Sequence, residues 1–491
     1  MKRSLVAGLI FSLFFASIVT LGHVYLFDVR VNSRMVLQPW LLRNGFVQYQ
    51  HIADEHAPLL PQLLAWLLPV FHDDALLTAR VVHAFLIASV VLISELWVHR
   101  TGGLRATIAT GTFFLAWSGL GYWAMWYDLA LAPVYLILFL VLSQEGQANV
   151  NKRLGLAGLM TGIAVLLKQQ ALSLALTIPL WLVWQYRSNR ITGRQVAPLT
   201  FIYLLGLTIP VAAYVGYYYR RAGTLQDLLY WSIYFNFTDA YRSLGQLAPT
   251  AGQVRQILPA FLMIVPFVAS IIAVQDKEMT LSRARRAWLI VFLVIAGLML
   301  YPRYSTMHWA VALSFIALIA GIACADLIDQ RNRGYSAWAG TWGIYLAVVL
   351  LWTTSAIFTY LPRLTQAQPQ ILIEFGNLVE LSSQLKSRNL PDEGLVLLPD
   401  DEGMSNLYYL LQRQPPKYWI MNYPWLMNRY TVARWLQAME EEQPQTLIYA
   451  QGRGEYEKYA PEIAEYVQSR YRIADTIEWN GNAVLIMTRY K

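Results

Sequence analysis

Residues 28–61 read DVRVNSRMVLQPWLLRNGFVQYQHIADEHAPLLP. This polar stretch follows one apolar run, residues 4–27, and leads into another, PLLPQLLAWLLPVF at 58–71. It carries three arginines, two histidines and three prolines in a chain that is 56% hydrophobic and 14% charged. A run of 24 residues is long enough to cross a hydrocarbon core of ~30 Å. One of fourteen is not, and it suits a helix lying along the membrane surface. The polar stretch therefore reads as a loop held at the membrane surface.

Working outward, apolar runs recur at about 4–27, 77–98, 104–126, 128–143, 153–168, 170–186, 197–219, 255–275, 286–301, 305–326 and 337–359. Eleven spans predict a polytopic α-helical membrane protein, with 18 Trp and 30 Tyr available for the interfacial belts. After residue 360 the pattern changes. Short strand-like runs at 394–399 and 446–450 alternate with helical periodicity at 370–387, 404–412 and 428–442. Two further strand candidates, 472–479 and 483–488, flank Asn480-Gly481, a strong hairpin dipeptide. These signals predict a transmembrane domain over 1–359, with a first outer loop at 28–76, and a soluble α/β domain over 360–491. Pro39 is expected to interrupt the helix of the first loop.

Charge sets the orientation. The chain holds 38 Lys+Arg and 30 Asp+Glu, a net +8. The residues from Tyr360 onward are net −3, so the preceding part is +11. Most of that excess lies in short loops between spans, which is topology-setting charge and gives no ground for a nucleic-acid partner. With the N-terminus inside, the inner loops collect fifteen positive charges. Residues 28–76, 220–254 and everything after 360 then face outside a cell membrane, inner or plasma. The apolar run after Lys2-Arg3 reaches Phe27 without a small-residue cleavage site and reads as a retained helix. The one cysteine, Cys324, excludes an intramolecular disulfide and a cysteine-based metal cluster.

The polar groups fall on that outer face. Asp28 stands at the end of the first span. Arg30 and Arg34, four apart, share a face if helical and can hold a phosphate or an anionic headgroup. Gly45, Tyr49, His51, Asp54, Glu55, His56 and Pro58 continue the loop. Asp54 and His56 have a metal-like look, but no second ligand cluster stands nearby in sequence and no zinc is expected. Asp128 follows Trp126-Tyr127 at an outer turn. LLKQQAL puts Lys168, Gln169 and Gln170 between two apolar runs, where a lysine is costly unless paired. YPRYSTMHW places Arg303 and His308 at the start of another span.

In order and spacing these groups resemble the polytopic glycosyltransferases of the C superfamily, especially protein O-mannosyltransferases and lipid A aminoarabinose transferases. The resemblance rests on Asp28, Gly45, Tyr49 and EHAPLL from Glu55, on LLKQQAL, and on Pro302-Arg303-Tyr304 with His308. It covers nearly the whole chain. Val29 follows Asp28 where many relatives have a second acid, and Ala57 precedes Pro58 where many have proline.

The resemblance implies transfer of a hexose or pentose from a polyprenyl-phosphate-linked donor to a lipid, glycan or protein acceptor, amid membrane lipids. Such transfer passes through an oxocarbenium-like state. It needs a carboxylate base for the acceptor and cations for the leaving phosphate. Asp28 and Asp128 are the expected catalytic acids. Lys168, Arg303, Arg30 and Arg34 are the expected phosphate ligands. Tyr49, Glu55, His56, Gln169 and His308 are expected to bind substrate. No cofactor is expected. Oligosaccharyl relatives use a metal, and the aminoarabinose and O-mannosyl relatives are thought not to need one. A glycan ligase or polymerase shares these substrates and is the nearer rival. A transporter would place its ionisable groups near the membrane midplane in repeated halves, and no such halves are seen.

Overall fold

The apolar runs become helices because a backbone without water must satisfy its own hydrogen bonds. The computed structural model describes residues 2–26, 31–118, 124–144, 149–242, 248–254, 264, 267–268, 281–300, 304–332, 375, 377–388, 390–391, 394–401, 403–452 and 456–490. Among these, four helices are long and apolar enough to cross a membrane by length and composition: Ala75–Leu115, Val150–Leu167, Gly193–Ala222 and Met307–Asp326. Val6–Gly22, Leu59–Phe71 and Tyr127–Leu142 are shorter apolar helices. The chain is a multi-pass membrane protein. The span expected at 337–359 lies outside the described residues, as does nearly all of that at 255–275. The spans expected at 77–98 and 104–126 join in one helical segment, Ala75–Ser118, broken at Gly103 by φ 70° and ψ −162°.

The described residues form two compact units. One comprises Met1–Val29, Val81–Ala213 and Gln246–Gln370; the other comprises Arg30–Arg80, Tyr214–Gly245 and Ile371–Lys491.

In the first unit the Met307–Asp326 helix is the centre, with 83% of its apolar window buried. Phe315 on it meets Phe139 and Phe292 at centroid distances of 5.8 and 5.5 Å, and those two rings lie 5.5 Å apart. Such near-perpendicular and tilted pairs add to area burial. Two other helices meet backbone to backbone. A Cβ on Gly158 would stand 2.1 Å from the Tyr203 carbonyl oxygen, one on Gly162 2.4 Å from that of Leu207, and one on Gly206 2.3 Å from that of Gly155. This is the small-residue seam by which apolar helices pack without a hydrophobic driving force. Arg153, one of the charges expected to set orientation, is buried at 7% exposure. It donates to the carbonyls of Val141 and Gln144, the end of the Tyr127–Ser143 helix, at 3.1 and 2.6 Å. A cation there also faces the negative pole of the helix dipole.

The second unit is built on strands. We number them β1 (Ile52–Ala53), β2 (Leu395–Leu398), β3 (Trp419–Ile420), β4 (Thr446–Ala450), β5 (Tyr471–Trp479) and β6 (Asn482–Arg489). The main sheet has the order β2-β4-β6-β5; β2 and β4 are parallel and the other neighbours antiparallel. The Asn480-Gly481 hairpin forms with φ 51° and 73°, the left-handed pair that such a tight turn requires. β1 pairs with β3, Ile52 opposite Trp419, which stitches the first loop to the C-terminal residues. Helices form at Leu378–Lys386, Asn406–Leu411 and Arg429–Glu442, near their expected places. Pro461–Arg470 adds a helix where none was expected.

One expectation is corrected. Pro39 does not interrupt the first-loop helix, which runs through it from Ser33 to Arg43. Every residue from Ser33 to Leu42 is buried, so packing outweighs the missing amide donor. Leu59–Leu67 forms a helix with Leu60 and Leu64 inward and Leu63 and Trp66 exposed.

Candidate functional site

In the first unit three expected site residues converge. Asp128 lies in the first turn of the Tyr127–Ser143 helix, where a carboxylate is favoured by the dipole. Lys168 follows Val150–Leu167 with extended backbone, φ −158° and ψ 124°. His308 closes the short 3₁₀ turn Thr306–Trp309 that leads into the central helix. Lys168 Nζ donates to both Asp128 oxygens, at 2.9 and 2.7 Å. His308 Nδ1 lies 2.8 Å from Asp128 Oδ2 and 3.2 Å from Lys168 Nζ. Asp128 has no exposure, and the Lys168 and His308 side chains are 5% and 20% exposed. The lysine that would be costly alone is thus paired. Nδ1 cannot donate to Asp128 and accept from Lys168 at once, and the shorter, charge-assisted contact goes to the carboxylate. That leaves the Nε2 side of the ring and one Lys168 N–H unspent on Asp128.

Among the other expected residues, Asp28, Arg30 and Arg303 lie outside the described residues. Gln169, half-buried, begins the 3₁₀ helix after Lys168.

In the second unit Asp54 is the hub, fully buried. Arg34 Nη1 donates to its Oδ1 at 3.2 Å, and Gln38 and Gln48 amides donate to Oδ2 at 3.0 and 3.2 Å. The His56 backbone N–H lies 3.2 Å and its Nδ1 2.9 Å from Oδ1. Burial alone would raise the Asp54 pKa; His56 and Arg34 outweigh it and hold the carboxyl below its usual range. Arg34 is itself buried, with Nη1 3.5 Å from Glu55 Oε1 and its guanidinium 4.8 Å over the Tyr423 ring. Tyr423 stacks on Trp425 at 4.5 Å, and the Trp425 indole N–H donates to Glu55 Oε1 at 3.3 Å. Tyr49 is fully buried at φ 66°, its hydroxyl donating to the His56 carbonyl at 2.6 Å.

Asp54, Glu55 and His56 offer three metal-ligand atoms within 4.8 Å of one another. Arg34 Nη1 already sits 2.8 Å from His56 Nδ1 and 3.2 Å from Asp54 Oδ1. A guanidinium thus takes the position where a divalent ion would stand, and the set as arranged does not fit a metal.

Sequence reasoning missed Gln38 and Gln48. Gln38 was findable, being four residues after Arg34 and so on one helix face with it. Nothing local marked Tyr423 and Trp425.

No protein-family model matches the chain and no curated protein does. Among solved structures it is similar to the Archaeoglobus fulgidus oligosaccharyltransferase tethered by a disulfide bond to an acceptor peptide containing the NVT sequon. The TM-score is 0.52 at 11% identity, covering 98% of this chain and 74% of that one. The apo form of that enzyme gives 0.49 at 11% identity, over 91% and 69%. The first likeness shows the fold alone: a multi-helix membrane architecture with a C-terminal sheet region.

Proposed function

We propose that the chain is a membrane glycosyltransferase that moves one sugar from a polyprenyl-phosphate donor to an acceptor at the outer membrane face. Residues 1–359 would be its transmembrane part and 360–491 its outer domain. The observation that carries this reading is the buried Asp128 clasped by Lys168 and His308, in a chain with the fold of a glycosyltransferase. The order of motifs sides with the O-mannosyl and aminoarabinose group.

The acceptor hydroxyl or amine must lose a proton as it attacks the anomeric carbon. Asp28 is the proposed base. The Asp128–His308 pair is the second acid–base unit, with Asp128 orienting the ring and Nε2 open to a proton. The leaving phosphate gains charge as the bond breaks, so cations must meet it. The unspent N–H of Lys168, with Arg303 and Arg30, supplies them. Arg34 is already engaged with Asp54 and Glu55, so its proposed part is to hold the loop that carries the proposed substrate-binding residues Tyr49, Glu55 and His56; Gln169, next to Lys168, is proposed to bind substrate as well.

The test is release of polyprenyl phosphate by the full chain in vesicles from mannosyl, glucosyl and aminoarabinosyl donors. Wild type should release it from at least one, and Asp28→Asn should slow turnover ~10²–10⁴-fold. No release from any of the three would overturn the reading. Near-normal turnover by Asp28→Asn would move the base to the Asp128–His308 pair.

A further inference from the structure

A second feature of the strand-bearing unit is unused by that chemistry. Residues 226–237 fold as a short α-helix, Gln226–Ser232, followed by the 3₁₀ turn Tyr234–Phe237. The segment has two faces. The inward one buries Leu228, Trp231 and Phe235, and Asp227 there accepts from the Tyr430 hydroxyl at 2.9 Å and from Arg434 Nη1 at 2.5 Å. Both partners stand on the Arg429–Glu442 helix, so the segment is fastened to the C-terminal residues. The outward face carries Leu229, Ile233, Tyr234 and Phe237, which are 42%, 49%, 62% and 70% exposed. Four large apolar side chains together on a held segment mark an interaction surface.

The course of the chain indicates the partner. Gly193–Ala222 is long and apolar enough to cross a membrane, and only 17% of its apolar window is buried, so most of it faces lipid. Gly223, Thr224 and Leu225 alone separate its end from Gln226, which therefore stands within about 14 Å of Ala222. Tyr219, Arg220 and Arg221, all exposed at that end, are an aromatic and two cations of the kind that suit a lipid–water boundary. Trp66, exposed on the Leu59–Leu67 helix, meets Tyr217 edge-on at 5.4 Å, so the helix expected to lie along the membrane surface packs against the same span end.

We propose that the face formed by Leu229, Ile233, Tyr234 and Phe237 docks on the lipid bilayer, in the lipid–water boundary beside the end of the Gly193–Ala222 span. A helix lying there buries its apolar side ~5–10 Å into the boundary between headgroups and acyl chains. Because Asp227 fastens the segment to the Arg429–Glu442 helix, the docked face also ties that helix to the bilayer. The inference holds whatever group the chain transfers.

The experiment is fluorescence quenching on the full chain in vesicles of phosphatidylcholine and phosphatidylglycerol. Cys324 is the only cysteine, so Cys324→Ser gives a background for single labels. Bimane is attached at Ile233→Cys, at Phe237→Cys and, for reference, at Ala433→Cys, which is exposed on the Arg429–Glu442 helix. All three positions are exposed, so the label disturbs no packed core. Lipid spin-labelled near the headgroup should quench the first two at least about twofold, and more than lipid spin-labelled near the chain end, as shallow burial requires. Iodide in the water should quench the Ala433→Cys label and spare the other two. Iodide quenching equal at all three positions would leave the face in water. Quenching of the first two by neither agent would mean that a protein covers the face. Stronger quenching by the chain-end label would mean a segment sunk in the hydrocarbon core. Each of these results overturns the inference.

Discussion

Replacing Lys168 by methionine strips the Asp128 carboxylate of the donor that touches both its oxygens. The pair is nearly dry, at 5% and 0% side-chain exposure. Removing one partner of such a pair typically costs about 3–5 kcal/mol, because the other charge is left buried. Asp128 keeps two consolations, His308 at 2.8 Å and its first-turn position on a helix. The helix position is worth ~0.3–1 kcal/mol. Lys168→Met should therefore cost about 3 kcal/mol. Asp128→Asn strands an ammonium with no such dipole support and should cost more. The double variant leaves neither charge and should recover at least ~2 kcal/mol against the sum of the singles. Equilibrium unfolding in mixed micelles, followed by tryptophan fluorescence, measures the cycle. Additivity within ~0.5 kcal/mol would mean that the two groups do not share charge, and the clasp drawn above would be wrong.

Two further outcomes are expected. His51 accepts the Val47 N–H on Nδ1 at 3.1 Å, and burial, then Lys417 and Arg434, lower its pKa to about 4. A depressed pKa gives stability present above ~6.5 and lost as pH falls toward 4, so the thermal midpoint of wild type should drop through that window more than that of His51→Gln. Equal slopes would remove His51 from the acid response. Asp400 works in the opposite sense, because burial raises its pKa to about 8, so only the comparison with the variant isolates the histidine. Orientation is read by a reporter fused after Lys491: activity only in the outer compartment is expected, and cytoplasmic activity would reverse the face assigned to every polar group.

The helices were legible where apolar runs were long, and the hairpin was legible because Asn480-Gly481 is a local signal. The Pro461–Arg470 helix was not: it buries only Ile463 and Val467, too thin a stripe to stand out. Pro39 misled because a local rule met a fully buried helix. At the site, residue types were readable and partnerships were not. Asp128 finds Lys168 across 40 residues and His308 across 180, and Arg34 reaches Met421 across 387. Such pairings are made by topology, which no local window contains.

The chain after Lys168 winds as eight residues of 3₁₀ helix followed by eleven of α-helix. The tighter form rises ~2.0 Å per residue against ~1.5 Å, so this arm reaches about 32 Å instead of the roughly 28 Å of an all-α arm. The gain of about 4 Å more than covers the ~1.5 Å by which nineteen α-helical residues fall short of a hydrocarbon layer of ~30 Å. Overwinding thus acts as a spacer. It gives the short arm between Lys168 and Arg187 the length of a hydrocarbon layer.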